Sequence, residues 1–259
     1  MSLLFDMKLR ALRRDRAART GPELFLFERA FDDCLERIAL VQRRFAGGLL
    51  IGCPDAGWPG RLGGVADRLD VRDPGGLFAN AAGGETLIED DWPAPAIAYD
   101  LVLAMGTLDT VNDLPRALSL IRRAMRPDSL FIGAMSGGDT LPQLRSAMRA
   151  ADQVTGEAAA HVHPRVEAAA LAPLLSAAGF AMPVVDVDRV PVSYRSFERL
   201  VRDLRSMAAT NILSVRPPRP LTRGEREAAL RSFAEAGSGG PTVETYEILH
   251  FAAWTAAAP

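Results

Sequence analysis

The stretch Val111-Asn112-Asp113-Leu114-Pro115-Arg116-Ala117-Leu118, followed after Arg126-Pro127-Asp128 by Phe131-Ile132-Gly133-Ala134-Met135-Ser136-Gly137-Gly138-Asp139-Thr140-Leu141, decides the fold. Asn112 or Asp113 offers a side-chain oxygen to the free N–H groups of a helix start, and Pro115 falls in the first turn, where its missing donor costs little. Ala117, Leu118, Ile121 and Met125 mark one face of that helix, and Pro127 is expected to stop it. Residues 129–135 are apolar on nearly every position, as a strand covered on both faces must be, and a glycine turn then leads into another helix. Helix, buried strand and glycine turn in this order predict a parallel sheet with helices on both faces.

Outward from this core the pattern repeats. Leu24, Phe27, Phe31, Leu35 and Ile38 form the stripe of an amphipathic helix after Pro22, and 48–52 is a short apolar run bounded by glycines. Further strands are expected at 65–71, 86–89 and 99–105. Helices are expected at 139–155, 166–178, 196–208 and 222–236, with extended segments at 182–192 and 242–254. The chain thus divides into an N-terminal helical segment, 1–47, and an α/β domain, 48–259, with a helical insertion at about 139–220.

Composition narrows the function. A chain of 259 residues with 48% hydrophobic and 24% charged residues is that of an ordinary globular protein, and its net charge of -2 supplies no basic footprint for nucleic acid. Lys8 is the single lysine among 30 basic residues, so arginine clusters carry little binding information. No apolar run reaches the ~20 residues of a membrane span. Cys34 and Cys53 form neither a disulfide framework nor a CxxC or zinc pattern, which suits a reducing, cytoplasmic setting. Asp6 and Asp15 set the arginine-rich start apart from a transit peptide, so it is expected to belong to the fold.

The VNDLPRAL turn and the FIGAMSGGDTL strand resemble the complex I assembly factor 5 proteins, a branch of the class I S-adenosylmethionine-dependent methyltransferases. The resemblance extends from Phe5 to Trp254, through Val185-Asp186-Val187-Asp188 and Leu200-Val201-Arg202-Asp203-Leu204-Arg205-Ser206-Met207. It implies a doubly wound, mainly parallel, Rossmann-like sheet ending in an antiparallel hairpin, S-adenosylmethionine as cofactor, and a respiratory NADH dehydrogenase subunit as partner. The protein would then lie in the cytoplasm, peripheral to the inner membrane through that partner.

The same resemblance places the cofactor residues. Gly52 and Cys53 match the glycine turn after the first strand, while Leu50, Pro54 and Ala56 stand where the family has an acid and two further glycines. Proline has no N–H and brings a ring to the place of ligand approach, and Asp55 adds a carboxylate beside the cofactor's own. Asp70, close to the ~20-residue spacing after the glycine turn, is expected to end the second strand and hold the ribose. Asp90 and Trp92 are placed on the adenine, and Met105 on the methionine end. His161, matched to a family histidine, and Tyr194 are candidates at the substrate mouth; His163 lacks the further ligands a metal would need. Three readings follow: a methyltransferase-type enzyme working mainly by orienting an activated methyl donor, an arginine hydroxylase acting on a complex I subunit, or a non-enzymatic assembly factor. Cofactor binding separates the first from the third.

Overall fold

A computed structural model describes residues 3–257. In chain order its elements are α1 (Met7–Thr20), α2 (Phe25–Val41), β1 (Gly48–Ile51), α3 (Trp58–Arg61), β2 (Leu69–Asp73), α4 (Gly76–Ala81), β3 (Glu85–Thr86), β4 (Tyr99–Met105), α5 (Leu114–Ala124), β5 (Met125–Ser136), α6 (Pro142–Thr155), α7 (Ala168–Ala177), β6 (Ala181–Tyr194), α8 (Phe197–Ser206), α9 (Arg223–Ala236) and β7 (Thr242–Trp254). The seven strands are ordered β3-β2-β1-β4-β5-β7-β6. Strands β1 to β5 run parallel, and β7 is antiparallel to both β5 and β6.

The most apolar strands are central, as double-sided burial requires. β1 and β4 are buried at every residue and pair with each other from Gly48↔Leu101 to Ile51↔Ala104. Their side chains alternate between two cores. Leu49, Ile51, Val102, Ala104 and Phe131 pack with α5 and α7 on one face, and Leu50, Leu101, Leu103 and Ile132 pack under α2 on the other. Each of these side chains larger than alanine contributes about 1.5–3 kcal/mol by leaving water. Over the β7 and β6 edge, α6, α8 and α9 enclose a third cluster around Leu200, Leu204, Phe233 and Tyr246.

Asp113 caps α5 by accepting from Arg116 N, with Pro115 in the first turn. Pro127 does not stop this helix. α5 ends at Ala124 and passes directly into β5, because Ile97 N and Ala98 N take up the carbonyls of Arg123 and Ala124. Pro127 lies instead in a register shift of the β4–β5 ladder, between Met125 and Leu130, where a missing donor is tolerated. The second strand begins at Leu69 rather than 65 because Val65 and Asp67 pair with Phe45 away from the sheet. The third is confined to Glu85–Thr86. The stretch 139–220 contains the sheet strand β6 between helices α7 and α8.

Candidate functional site

Ligands of open α/β sheets sit at the carboxyl ends of the parallel strands. Here that edge is formed by the loop after β1, the end of β2, the segment after β3, and the ends of β4 and β5. Gly52 has φ +84, and a Cβ on it would strike the Met105 carbonyl oxygen, so glycine is required for β1 to approach β4. Beyond it the loop satisfies itself. Cys53 N donates to Asp73 Oδ2 at 2.8 Å, Gly57 N to Asp55 Oδ1 at 2.6 Å, and Trp58 N to the Asp55 carbonyl at 3.2 Å. Pro54 is buried. The helix that follows, α3, is a single turn, pinned by Trp58, which stacks on Phe31 at 4.1 Å and donates to Glu28 at 2.7 Å. Burial, with Asp73 and Asp55 nearby, pushes the Cys53 thiol up to about 12, so it is not a nucleophile at neutral pH.

The acid at the carboxyl end of β2 is Asp73. Asp70 stands near the strand's amino end, where its carboxylate accepts from the Tyr99 hydroxyl at 2.7 Å, so its expected place at the ribose is corrected. The physical reason is the later start of β2, which moves the edge three residues along the chain. Asp73-Pro74-Gly75-Gly76, an acid before a turn and the helix α4, was the sequence signal for it.

Asp73 is fully buried and held by Arg14, whose Nε and Nη2 reach its two oxygens at 2.7 and 2.5 Å. Glu89, likewise buried, takes Arg10 Nη1 and Nη2 at 2.7 and 2.8 Å, and Arg10 Nη2 also donates to the Thr107 carbonyl. Both arginines belong to α1, where Asp6 caps the helix and the i, i+4 spacing sets them on one face. Their acidic partners lie 59 and 79 residues away, and the arginine-rich background further hid the pair in the sequence.

Asp90 accepts from Asp113 N at 2.9 Å, and its carbonyl accepts from Arg116 Nε, so it anchors the start of α5. Trp92 is half-buried against the α5 core and its Nε1 has no partner among the described residues. Met105 lines a cavity of about 120 Å³ together with Arg10, Arg14, Phe27, Arg165 and Tyr246. Arg165, its side chain 5% exposed, pairs with Asp109 on the cavity wall, and burial pushes its guanidinium down to about 10. His161 bonds Asp152 at 2.7 Å outside this cavity. Tyr194 meets the Tyr246 hydroxyl at 2.8 Å, so Tyr246 rather than Tyr194 faces the cavity, and burial raises the Tyr194 hydroxyl to about 12. His163 accepts from Ile212 N at 2.9 Å, and burial together with Arg145 pushes it down to about 4. Thus Gly52, Cys53 and Met105 share the carboxyl edge with Asp73 and Glu89, whereas Asp70, Asp90, His161 and Tyr194 serve other contacts. Among the described residues no group of three or more His, Cys, Asp or Glu is arranged to hold a metal, and no helix is long and apolar enough to cross a membrane.

Residues 30–183 match the family model described as a methyltransferase domain. Over 97% of its length the chain is 33% identical to the arginine-hydroxylase NDUFAF5, mitochondrial, of Rattus norvegicus, covering 77% of that protein. It is 29% identical to the malonyl-[acyl-carrier protein] O-methyltransferase of Laribacter hongkongensis over 70% of the chain and 60% of that protein. In structure it is similar to the YcgJ protein of Bacillus subtilis, with a TM-score of 0.59 at 11% identity, covering 87% of this chain and 98% of that one. It is also similar to the N-methyltransferase NodS of Bradyrhizobium japonicum in complex with S-adenosylhomocysteine, with a TM-score of 0.51 at 14% identity, covering 95% and 98%. These two share its fold.

Proposed function

The chain belongs to the methyltransferase-domain family, and from that premise we propose that it serves the assembly of a respiratory NADH dehydrogenase by acting on a protein side chain of one subunit. The observation that carries this reading is the likeness to the arginine-hydroxylase NDUFAF5, which spans 97% of the chain and so includes the N-terminal helix α1, outside the methyltransferase match. A fold alone would not support it.

The family's cofactor is S-adenosylmethionine, and with α1 in place the donors and acceptors of this edge are engaged within the protein. Pro54 offers no donor, the donors of Cys53, Gly57 and Trp58 are engaged within the protein, and both edge carboxylates are taken by arginines. The cavity of about 120 Å³ is below the ~300 Å³ at which pockets for cofactor-sized ligands begin. A second reading is an assembly factor that holds its partner without chemistry; the methyltransferase domain and the likeness to the arginine-hydroxylase support the first reading over it.

The two readings are separated by deleting the gene in the source organism and restoring it. Failure of NADH dehydrogenase assembly, with a subunit side chain that gains a methyl or hydroxyl mass only when the gene is present, supports modification. Failure of assembly with unmodified subunits in both strains supports the non-enzymatic factor. Normal assembly without the gene removes both.

A further inference from the structure

We propose that α1 is a built-in strap over the nucleoside end of the site: Arg10 and Arg14 occupy Glu89 and Asp73, and an adenosine-bearing ligand reaches those carboxylates only when α1 swings away. This rests on the family reading in one respect, that acids at this edge are the ones a nucleoside would use.

The geometry is exclusive. At Asp73 every acceptor position is filled, since its two oxygens take Arg14 Nε and Nη2 and also Cys53 N and Gly75 N, and at Glu89 both oxygens are held by the charge-assisted bonds of Arg10. Ligand and arginine therefore compete for the same atoms. The docking is also built into the backbone, since a Cβ at Gly75 would collide with Cβ of Arg14, so glycine there lets α1 lie against the β2–α4 turn.

The strap is held mainly by polar contacts. Within α1 the buried residues are Arg10, Arg14 and Ala17, while Leu12 is 61% exposed. Asp15 Oδ1 accepts from Leu77 N at 2.9 Å, and the Arg14 guanidinium lies 5.2 Å from the centre of the Phe78 ring. Apolar packing is concentrated at the start of the helix, where Met7 and Leu9 join Phe5, Ile212 and Leu213. With few buried apolar contacts beyond its first turn, α1 can open locally where the core cannot, provided that ligand or water takes over the two buried carboxylates as the arginines leave. The anchored end is the hinge, and the arginines are the latch.

Purified full-length protein tests this with S-adenosylhomocysteine as the probe, by calorimetry and by amide hydrogen exchange. The double variant Arg10→Lys, Arg14→Lys keeps the buried charges compensated while losing the two-pronged fit. It is expected to bind the probe about tenfold more tightly than wild type. Asp15→Ala, which frees the distal end of α1 and leaves both ion pairs in place, is expected to bind severalfold more tightly, and it decides the matter alone if the lysine variant does not fold. In the protein with probe bound, amides of residues 7–20 should exchange faster than without it. Variants that fold yet bind no better than wild type, including no binding by any form, overturn the strap, as does probe binding that leaves α1 as protected as before. The assembly role is scored separately in the deletion strain: assembly that depends on the gene, with an unmoved affinity, overturns the strap alone.

Discussion

Two glycine turns face each other across the carboxyl edge of the sheet, one after β1 and one after β5, and they have fared differently. The turn after β5 keeps the family's Gly137-Gly138-Asp139-Thr140-Leu141, and every part of it meets protein. A Cβ at Gly137 would run into the Glu247 side chain and one at Gly138 into the Glu167 carboxylate. Thr140 Oγ1 and Glu247 exchange two hydrogen bonds with each other's chain at 3.0 Å, and Glu244 caps the first turn of α6 through Gln143 N and Leu144 N. The turn after β1 keeps Gly52, which the Met105 carbonyl demands, and departs from the pattern at Pro54 and Ala56. Gly52 stands where the chain itself approaches closely, whereas Pro54 and Ala56 stand where the family resemblance leads one to expect glycine facing a ligand.

Substituting the glycines tests that contrast most severely. Gly52→Ala combines a strained positive φ with a collision against backbone, and is expected to lower stability by about 4 kcal/mol. Gly138→Ala meets only the free end of the exposed Glu167 side chain, which can swing aside, and should cost less than about 1 kcal/mol. Urea unfolding of the two variants checks both; a Gly52→Ala protein as stable as wild type would undo the claim that this glycine belongs to the fold.

A second expectation concerns the packed side of the comparison. Arg145 links the turn after β5 to the 156–166 segment, donating to the carbonyls of Thr140 and His163. His163 is neutral there, since its Nε2 accepts a backbone N–H and burial lowers it to about 4. The unfolded chain protonates near pH 6.5 and the folded chain does not, so stability falls as pH drops from about 6.5 to about 4. The full loss is about 3 kcal/mol by linkage. His163→Gln should flatten that part of the stability–pH curve, and an unchanged slope would assign it to other groups.

The sheet was legible because its decisive segments carry local signals strong enough to survive any tertiary setting. β4 begins and ends where its apolar run does, β7 follows the glycine turn 237–241 into the apolar run from Ile248, and Thr222 with Glu225 forms the capping box that opens α9. The site was less legible for a different reason. Whether an acid lies at the end of a strand depends on where the strand starts, and pairing of Phe45 with Val65 and Asp67 delayed β2 enough to exchange Asp70 for Asp73. The partners of Asp73 and Glu89 lie 59 and 79 residues away in α1. No short-range pattern reports a pairing of that span, and in a chain whose basic residues are nearly all arginine, two more attract no notice.

The smallest expected effect on affinity belongs to the altered loop, and it separates the loop from the strap as the barrier to a nucleoside. In Pro54→Gly, Ala56→Gly the backbone regains the freedom of a glycine turn, and the unfolded chain gains freedom as well. The stability loss is then about 1 kcal/mol. Affinity for S-adenosylhomocysteine should change by no more than about threefold, roughly 0.6 kcal/mol, because Cys53 N still donates to Asp73 and both carboxylates remain with their arginines. Combining the loop changes with Arg10→Lys, Arg14→Lys should then exceed either alone, since a donor-bearing turn becomes useful once the acids beside it are released. If the loop variant by itself binds tenfold more tightly, the proline was the barrier, and the ion pairs of α1 merely fill space that the ligand can share.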